Sequence, residues 1–136
     1  VLQVPLAVFI LDDGYGISVP KEYQTTKASI SEALSGLRKE EGTNGINIFK
    51  VKGWDYAALC ETFEEGIRIT RETHTPAIFH VEELTQPQGH STSGSHERYK
   101  NNERLEWEKK WDGMLKMKEW LVGNALANEE ELEAVE

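Results

Sequence analysis

Hydrophobic positions along the chain fall into short continuous runs and helical stripes. Leu6, Ala7, Val8, Phe9, Ile10 and Leu11 follow one another after Pro5. A strand-sized run without a polar face predicts a strand covered on both sides, as in a parallel sheet. Asp12-Asp13-Gly14-Tyr15-Gly16 breaks it sharply, and open α/β sheets bind ligands in loops at this end of a strand. Ser29 to Lys39 predicts a helix with Ile30, Ala33, Leu34 and Leu37 on one face, closed by Glu41-Gly42-Thr43-Asn44-Gly45. Ile46 to Val51 predicts a second strand. Asp55 is a natural N-cap for a helix whose apolar face is Tyr56, Leu59, Cys60, Phe63, Ile67 and Thr70. Thr73 to Pro76 ends that helix, and Ala77 to Val81 predicts a third strand. Strand, helix, strand, helix, strand implies right-handed crossovers and a parallel sheet.

Beyond Val81 the pattern changes. Glu82 to Ser95 is rich in Gln, Pro, Gly, His, Ser and Thr, without apolar periodicity, and loops of this length are often functional. Trp107, Trp111, Met114, Leu115, Leu121 and Val122 then form one helical stripe flanked by Lys109, Lys110, Lys116 and Lys118. Asn128 to Glu136 predicts either a last acidic helix or the start of a linker. The expected division is residues 1–100 as a partial α/β region with its loop, and 101–136 as a helical extension of the same domain.

Composition narrows the function classes. The 136 residues suit one compact domain. A formal net charge of −9 argues against nucleic acid as a partner. Part of that charge is local, because Asn128 to Glu136 holds five Glu and no Lys or Arg. The single cysteine, Cys60, permits no intrachain disulfide and no cysteine-based zinc site; its place on an apolar helix face reads as core. No apolar run approaches the roughly 20 residues that span a bilayer, so no membrane association is expected, and the compartment reads as cytoplasmic, or the mitochondrial matrix in a eukaryote. The chain begins with Val1, almost directly in a hydrophobic strand, and reads as a piece of a longer protein.

Two segments carry candidate chemistry. Asp12 to Tyr15 offers carboxylates and backbone carbonyls, hard oxygen ligands suited to Mg²⁺ or Ca²⁺. The same residues are also turn formers, so a plain polar turn is the competing reading. Gly89-His90-Ser91-Thr92-Ser93-Gly94-Ser95-His96 concentrates imidazole and hydroxyl groups, yet shows neither a nucleophile with its base nor helical metal-ligand spacing. A solvated loop is the competing reading there. His74, at a helix end, and His80, in a strand, read as structural, and the tryptophans as packing.

Three motifs in register resemble the alpha subunit of thiamine diphosphate-dependent 2-oxo acid dehydrogenases, the decarboxylating component of the pyruvate and branched-chain complexes. Asp12-Asp13-Gly14-Tyr15-Gly16-Ile17-Ser18-Val19-Pro20 is similar to Asn-Asn-x-Tyr-Ala-Ile-Ser-x-Pro. Val51-Lys52-Gly53-Trp54-Asp55 is similar to Val-Asp-Gly-x-Asp. Gly89-His90-Ser91-Thr92-Ser93 with Tyr99-Lys100 is similar to a Gly-His-Ser-x-Ser loop ending in Tyr-Arg. The resemblance covers nearly the whole chain. It implies a partial thiamine diphosphate-binding fold, α/β and three-layered with a parallel sheet, followed by C-terminal helices.

It further implies thiamine diphosphate and Mg²⁺ as cofactors. Asp13 and Tyr15, the latter through its carbonyl, would be the metal ligands. Asp13, Tyr15, Ile17, His90 and Ser91 would lie at the cofactor, with His90 catalytic. The intact enzyme would be an oligomer with a beta subunit or fused beta domain. It would decarboxylate a small 2-oxo acid and pass the acyl group to a lipoyl acyltransferase component. The Ser-Thr-Ser loop leans toward the branched-chain members. Ser91 matches a position phosphorylated in mitochondrial members.

Departures from the pattern matter. Asp13 for Asn adds negative charge beside a diphosphate. An Arg expected in the loop is absent at Gln86. The Gly-Asp-Gly element that supplies the other metal carboxylate would precede Val1, so the 136 residues alone are expected to bind the cofactor weakly or not at all. Other thiamine diphosphate enzymes (acetoin-cleaving or transketolase-like) and a non-catalytic assembly domain remain alternatives.

Overall fold

The computed structural model describes residues 2–90 and 96–135. Strand β1 (Ala7–Leu11) leads into a tight hairpin of β2 (Tyr15–Gly16) and β3 (Val19–Pro20). Two 3₁₀ turns, Lys21–Tyr23 and Thr26–Ala28, precede the single-turn helix α1 (Ile30–Ala33). Then come β4 (Asn47–Lys52), α2 (Tyr56–Thr73) and β5 (Ala77–Glu82). Helices α3 (Asn102–Lys110), α4 (Gly113–Gly123) and α5 (Glu129–Glu133) finish the described chain. The main sheet is parallel in the order β1–β5–β4, and β4–α2–β5 is a βαβ unit.

Register builds the core. Phe9 and Phe49 both pair with Phe79 of the central strand. Their rings stack on it with centroids 4.8 and 5.0 Å away. From α2, Phe63 meets the Phe79 ring edge-on at 5.5 Å. Gly66 lets the helix come this close, because a Cβ there would collide with the Phe79 ring. Phe79 is fully buried. The opposite face of β5 carries His80, and α1 covers it.

Four expectations change. The helix expected over Ser29–Lys39 shrinks to α1 and a 3₁₀ turn, Ser35–Leu37. Pairing with the start of β4 wins instead: the Ile46 amide donates to the Leu37 carbonyl (2.9 Å) and Lys39 donates to Ile46 (2.9 Å). Gly45 permits this approach, since a Cβ there would lie 2.7 Å from the Lys39 backbone. Strand β1 is not covered on both sides; it is an edge of the described sheet, with Phe9 45% and Leu11 65% exposed. Cys60 is exposed rather than core, because α2 meets the sheet through Phe63, Gly66 and Thr70, leaving Tyr56 and Cys60 on its flank. The single tryptophan stripe is broken at Trp111–Asp112, where Asp112 caps α4 through the amides of Met114 and Leu115. Met114 is then 76% exposed.

The acidic end is helical. Asn128 and Glu131 form a reciprocal capping box at the start of α5. Among the described residues, no helix is long and apolar enough to cross a membrane.

Candidate metal and cofactor site

The two aspartates after β1 have different duties. Asp12 is engaged on every side. One carboxylate oxygen accepts the Gly14 amide (2.8 Å). The other accepts Lys21 Nζ (3.2 Å) and His80 Nε2 (2.9 Å). A carboxylate only accepts, so His80 carries its proton on Nε2, and its Nδ1 lies 2.9 Å from Ser31 Oγ. Burial pushes the Asp12 carboxyl up, but the hydrogen bonds from His80, the Gly14 amide and Lys21 outweigh it and hold the group below its usual value. Asp12 and the buried His80 thus form the footing of the turn.

Asp13 lines the same cleft as Asp12, with fewer partners. One of its oxygens accepts the Tyr15 amide (3.0 Å), and the second accepts no hydrogen bond among the described residues. Tyr15 and Pro20 form the non-hydrogen-bonded pair of the hairpin, next to the bond from the Lys21 amide to the Gly14 carbonyl (2.9 Å), so the Tyr15 carbonyl points away from the partner strand. One carboxylate and one free carbonyl are hard oxygen donors of the kind Mg²⁺ accepts when phosphate oxygens and water complete its shell. Among the described residues, no group of three or more His, Cys, Asp or Glu could hold a metal unaided. The donor set therefore fits a shared metal and not an independent metal centre. A cleft of about 260 Å³ opens here, lined in part by Leu11, Asp13, Tyr15 and Lys21.

Ile17 lies at the tip of the β2–β3 hairpin, 63% exposed and with φ at 61°. A β-branched residue in the left-handed region is strained, and such strain concentrates at ligand clamps and active sites. Gly16 stands where the family pattern has Ala. A Cβ there would collide with the Gln24 side chain, which donates to the Val19 carbonyl (3.0 Å).

The second segment approaches the first through Tyr99. His90 is exposed, and its amide donates to the Tyr99 hydroxyl (3.3 Å). The Tyr99 ring lies 5.9 Å from the Tyr15 ring. His90 makes no direct contact with Asp13 among the described hydrogen bonds. Ser91 lies outside the described residues. His96 is half-buried with its Nε2 3.4 Å from Glu97, and does not join His90 in a ligand pair. His74 caps α2 in the left-handed conformation.

Sequence reasoning missed a buried ionic cluster behind Tyr15. Lys100, with no side-chain exposure, donates to both oxygens of Glu108 (2.8 and 2.9 Å). Arg104 donates to Glu108 through Nε (2.8 Å) and to the Asp13 carbonyl through Nη2 (2.7 Å). Lys100 and Arg104 also sit 5.3 and 5.5 Å from the centre of the Tyr15 ring. Lys100 Nζ approaches the Gln86 carbonyl at 3.4 Å. Where an Arg is absent at Gln86, Lys100, two residues before α3, and Arg104, within it, bring two cations. Arg104 and Glu108, four apart on a helix, were a readable local pair; their link to Asp13 was not.

A family model described as "Dehydrogenase E1 component" matches residues 1–136. The pyruvate dehydrogenase E1 component subunit alpha of Rickettsia typhi (strain ATCC VR-144 / Wilmington) is 27% identical over 111 residues, covering 82% of this chain and 33% of that protein. The subunit of the same name from Rickettsia prowazekii (strain Madrid E) gives the same figures. The chain thus spans about a third of the length of these curated relatives.

Proposed function

Because the chain belongs to the dehydrogenase E1 component family over residues 1–136, we propose that it is the part of an E1 alpha region that holds Mg²⁺ and the diphosphate of thiamine diphosphate. Asp13 and the Tyr15 carbonyl are the metal ligands of this reading, and Ile17, His90 and Ser91 complete the cofactor contacts. The observation that carries it is the divided labour of the turn. Asp12 is consumed by His80, Lys21 and Gly14, while one Asp13 carboxylate oxygen accepts no hydrogen bond among the described residues.

When bound, the cofactor supplies the electron sink for decarboxylation of a 2-oxo acid. The residues of this chain orient it and manage a proton. In this reading His90, exposed and with its amide bonded to the Tyr99 hydroxyl, meets an incoming lipoyl acceptor. A beta subunit or fused beta domain completes the site, residues 101–136 extend the same domain, and the intact enzyme is an oligomer that works with a lipoyl acyltransferase. The Rickettsia relatives are named for pyruvate, whereas the Ser-Thr-Ser loop leans toward branched-chain acids; a substrate series on the full-length protein separates the two.

His90→Ala in the full-length protein is expected to reduce acyl transfer to a lipoyl acceptor about 10²–10⁴-fold, the usual worth of a positioned acid–base group. Decarboxylation read with an artificial electron acceptor is expected to fall less. Unchanged transfer would reject the role given to His90.

A further inference from the structure

The metal turn has a weakness that Arg104 is built to correct. Gly14 follows Asp13 with φ at 82°, and a glycine at that position lets the Asp13–Gly14 peptide flip with little steric penalty. A flip would turn the Asp13 carbonyl away and break the bond that the Gly14 amide of the same peptide makes to Asp12 (2.8 Å), so Asp12 holds the N–H end of this peptide and leaves the carbonyl end to a second partner. Arg104 Nη2 holds that carbonyl at 2.7 Å, across 91 residues of sequence.

Arg104 is itself fixed. Its Nε is bonded to Glu108, its guanidinium lies 4.6 Å from the centre of the Trp107 ring, and its side chain is 22% exposed. Glu108 in turn is held by the fully buried Lys100, the last residue of the Gly89–Lys100 segment. Lys100 and Arg104 set two positive charges against one on Glu108, so one surplus positive charge stands behind Asp13.

Resting on the reading of Asp13 and Tyr15 as metal ligands, we propose that Arg104 is a positioning residue of this site. It locks the Asp13–Gly14 peptide in the metal-binding orientation and couples it, through Glu108 and Lys100, to the end of the cofactor loop. A planar guanidinium suits the task because it bonds Glu108 and the carbonyl at once in fixed directions, which an ammonium cannot reproduce.

The sign of one measurement separates positioning from charge. A cation near a metal site repels the metal, so simple loss of charge tightens Mg²⁺ binding. Loss of position weakens it. The experiment titrates Mg²⁺ into the full-length protein with thiamine diphosphate at a fixed excess, following binding by calorimetry and subtracting a titration of the cofactor alone, for wild type, Arg104→Met, Arg104→Lys and Asp13→Ala. Both Arg104 variants are expected to raise the Mg²⁺ Kd about 10–100-fold, as loss of an outer-shell partner does.

Unchanged or tighter binding in Arg104→Met would overturn the proposal, even if its thermal midpoint falls. Wild-type affinity in Arg104→Lys would also overturn it, because charge alone would then suffice. Should Arg104→Met not fold, Arg104→Lys decides the matter alone. Asp13→Ala tests the underlying reading: if it leaves Mg²⁺ affinity unchanged, that reading fails and the proposal with it. If Asp13→Ala weakens binding while the Arg104 variants do not, only the role of Arg104 is lost.

Discussion

Glu108→Ala is expected to destabilise the protein by about 3–5 kcal/mol, the usual cost of removing one partner from a buried ion pair. The Glu108 carboxylate is 3% exposed and receives three hydrogen bonds, two from Lys100 and one from Arg104. Lys100 has no exposed side-chain surface, so its ammonium would be left buried without a counter-charge. The Coulomb attraction is not the main quantity lost; the desolvated cation left behind is. Lys100→Met combined with Glu108→Leu should therefore recover much of the loss, because an apolar pair of similar volume is often neutral. Denaturant unfolding of the two variants checks both statements. A Glu108→Ala protein as stable as wild type would mean that water reaches the cluster.

Phe79→Ala carries an expected loss of similar size, about 3–5 kcal/mol. Phe79 has no exposed surface and is the ring on which Phe9, Phe49 and Phe63 converge. Removing it empties the centre of the sheet–helix interface, and Gly66, which has no side chain, cannot fill the space. Phe79→Leu keeps most of the volume and should cost less. Thermal unfolding distinguishes the two. Equal losses would indicate that ring stacking rather than filled volume dominates.

Local and periodic features of the fold were legible in the sequence. The apolar runs and the Asp55 cap gave β4–α2–β5 to within a residue or two, because that unit closes on itself through nearby contacts. The segment 29–39 was not legible as it stands. Its helical pattern is real, but Leu37 and Lys39 have stronger partners in the Ile46 peptide, a choice no local window contains. Strand β1 looked covered because its side chains are apolar, and composition does not say which side of a sheet a strand occupies.

The candidate site divides in the same way. Asp13, Tyr15, Ile17, His90 and Ser91 were named from the family resemblance. His80 was read as structural, and it is bonded to Asp12 across 68 residues. That bond makes the first carboxylate of the pair an anchor of the turn. Arg104 and Glu108 were not singled out, since four apart on a charged helix they make an ordinary local pair. Only the return of α3 to the end of β1 gives them a role, and sequence separation hides such a return.

The most direct test of the account is the Mg²⁺-dependent binding of thiamine diphosphate to the full-length protein, compared between wild type and Asp13→Ala by calorimetric titration. The account predicts that wild type binds the cofactor only with Mg²⁺ present, and that Asp13→Ala weakens this binding at least about tenfold, or 1.4 kcal/mol. Equal, metal-dependent binding by both proteins would contradict it.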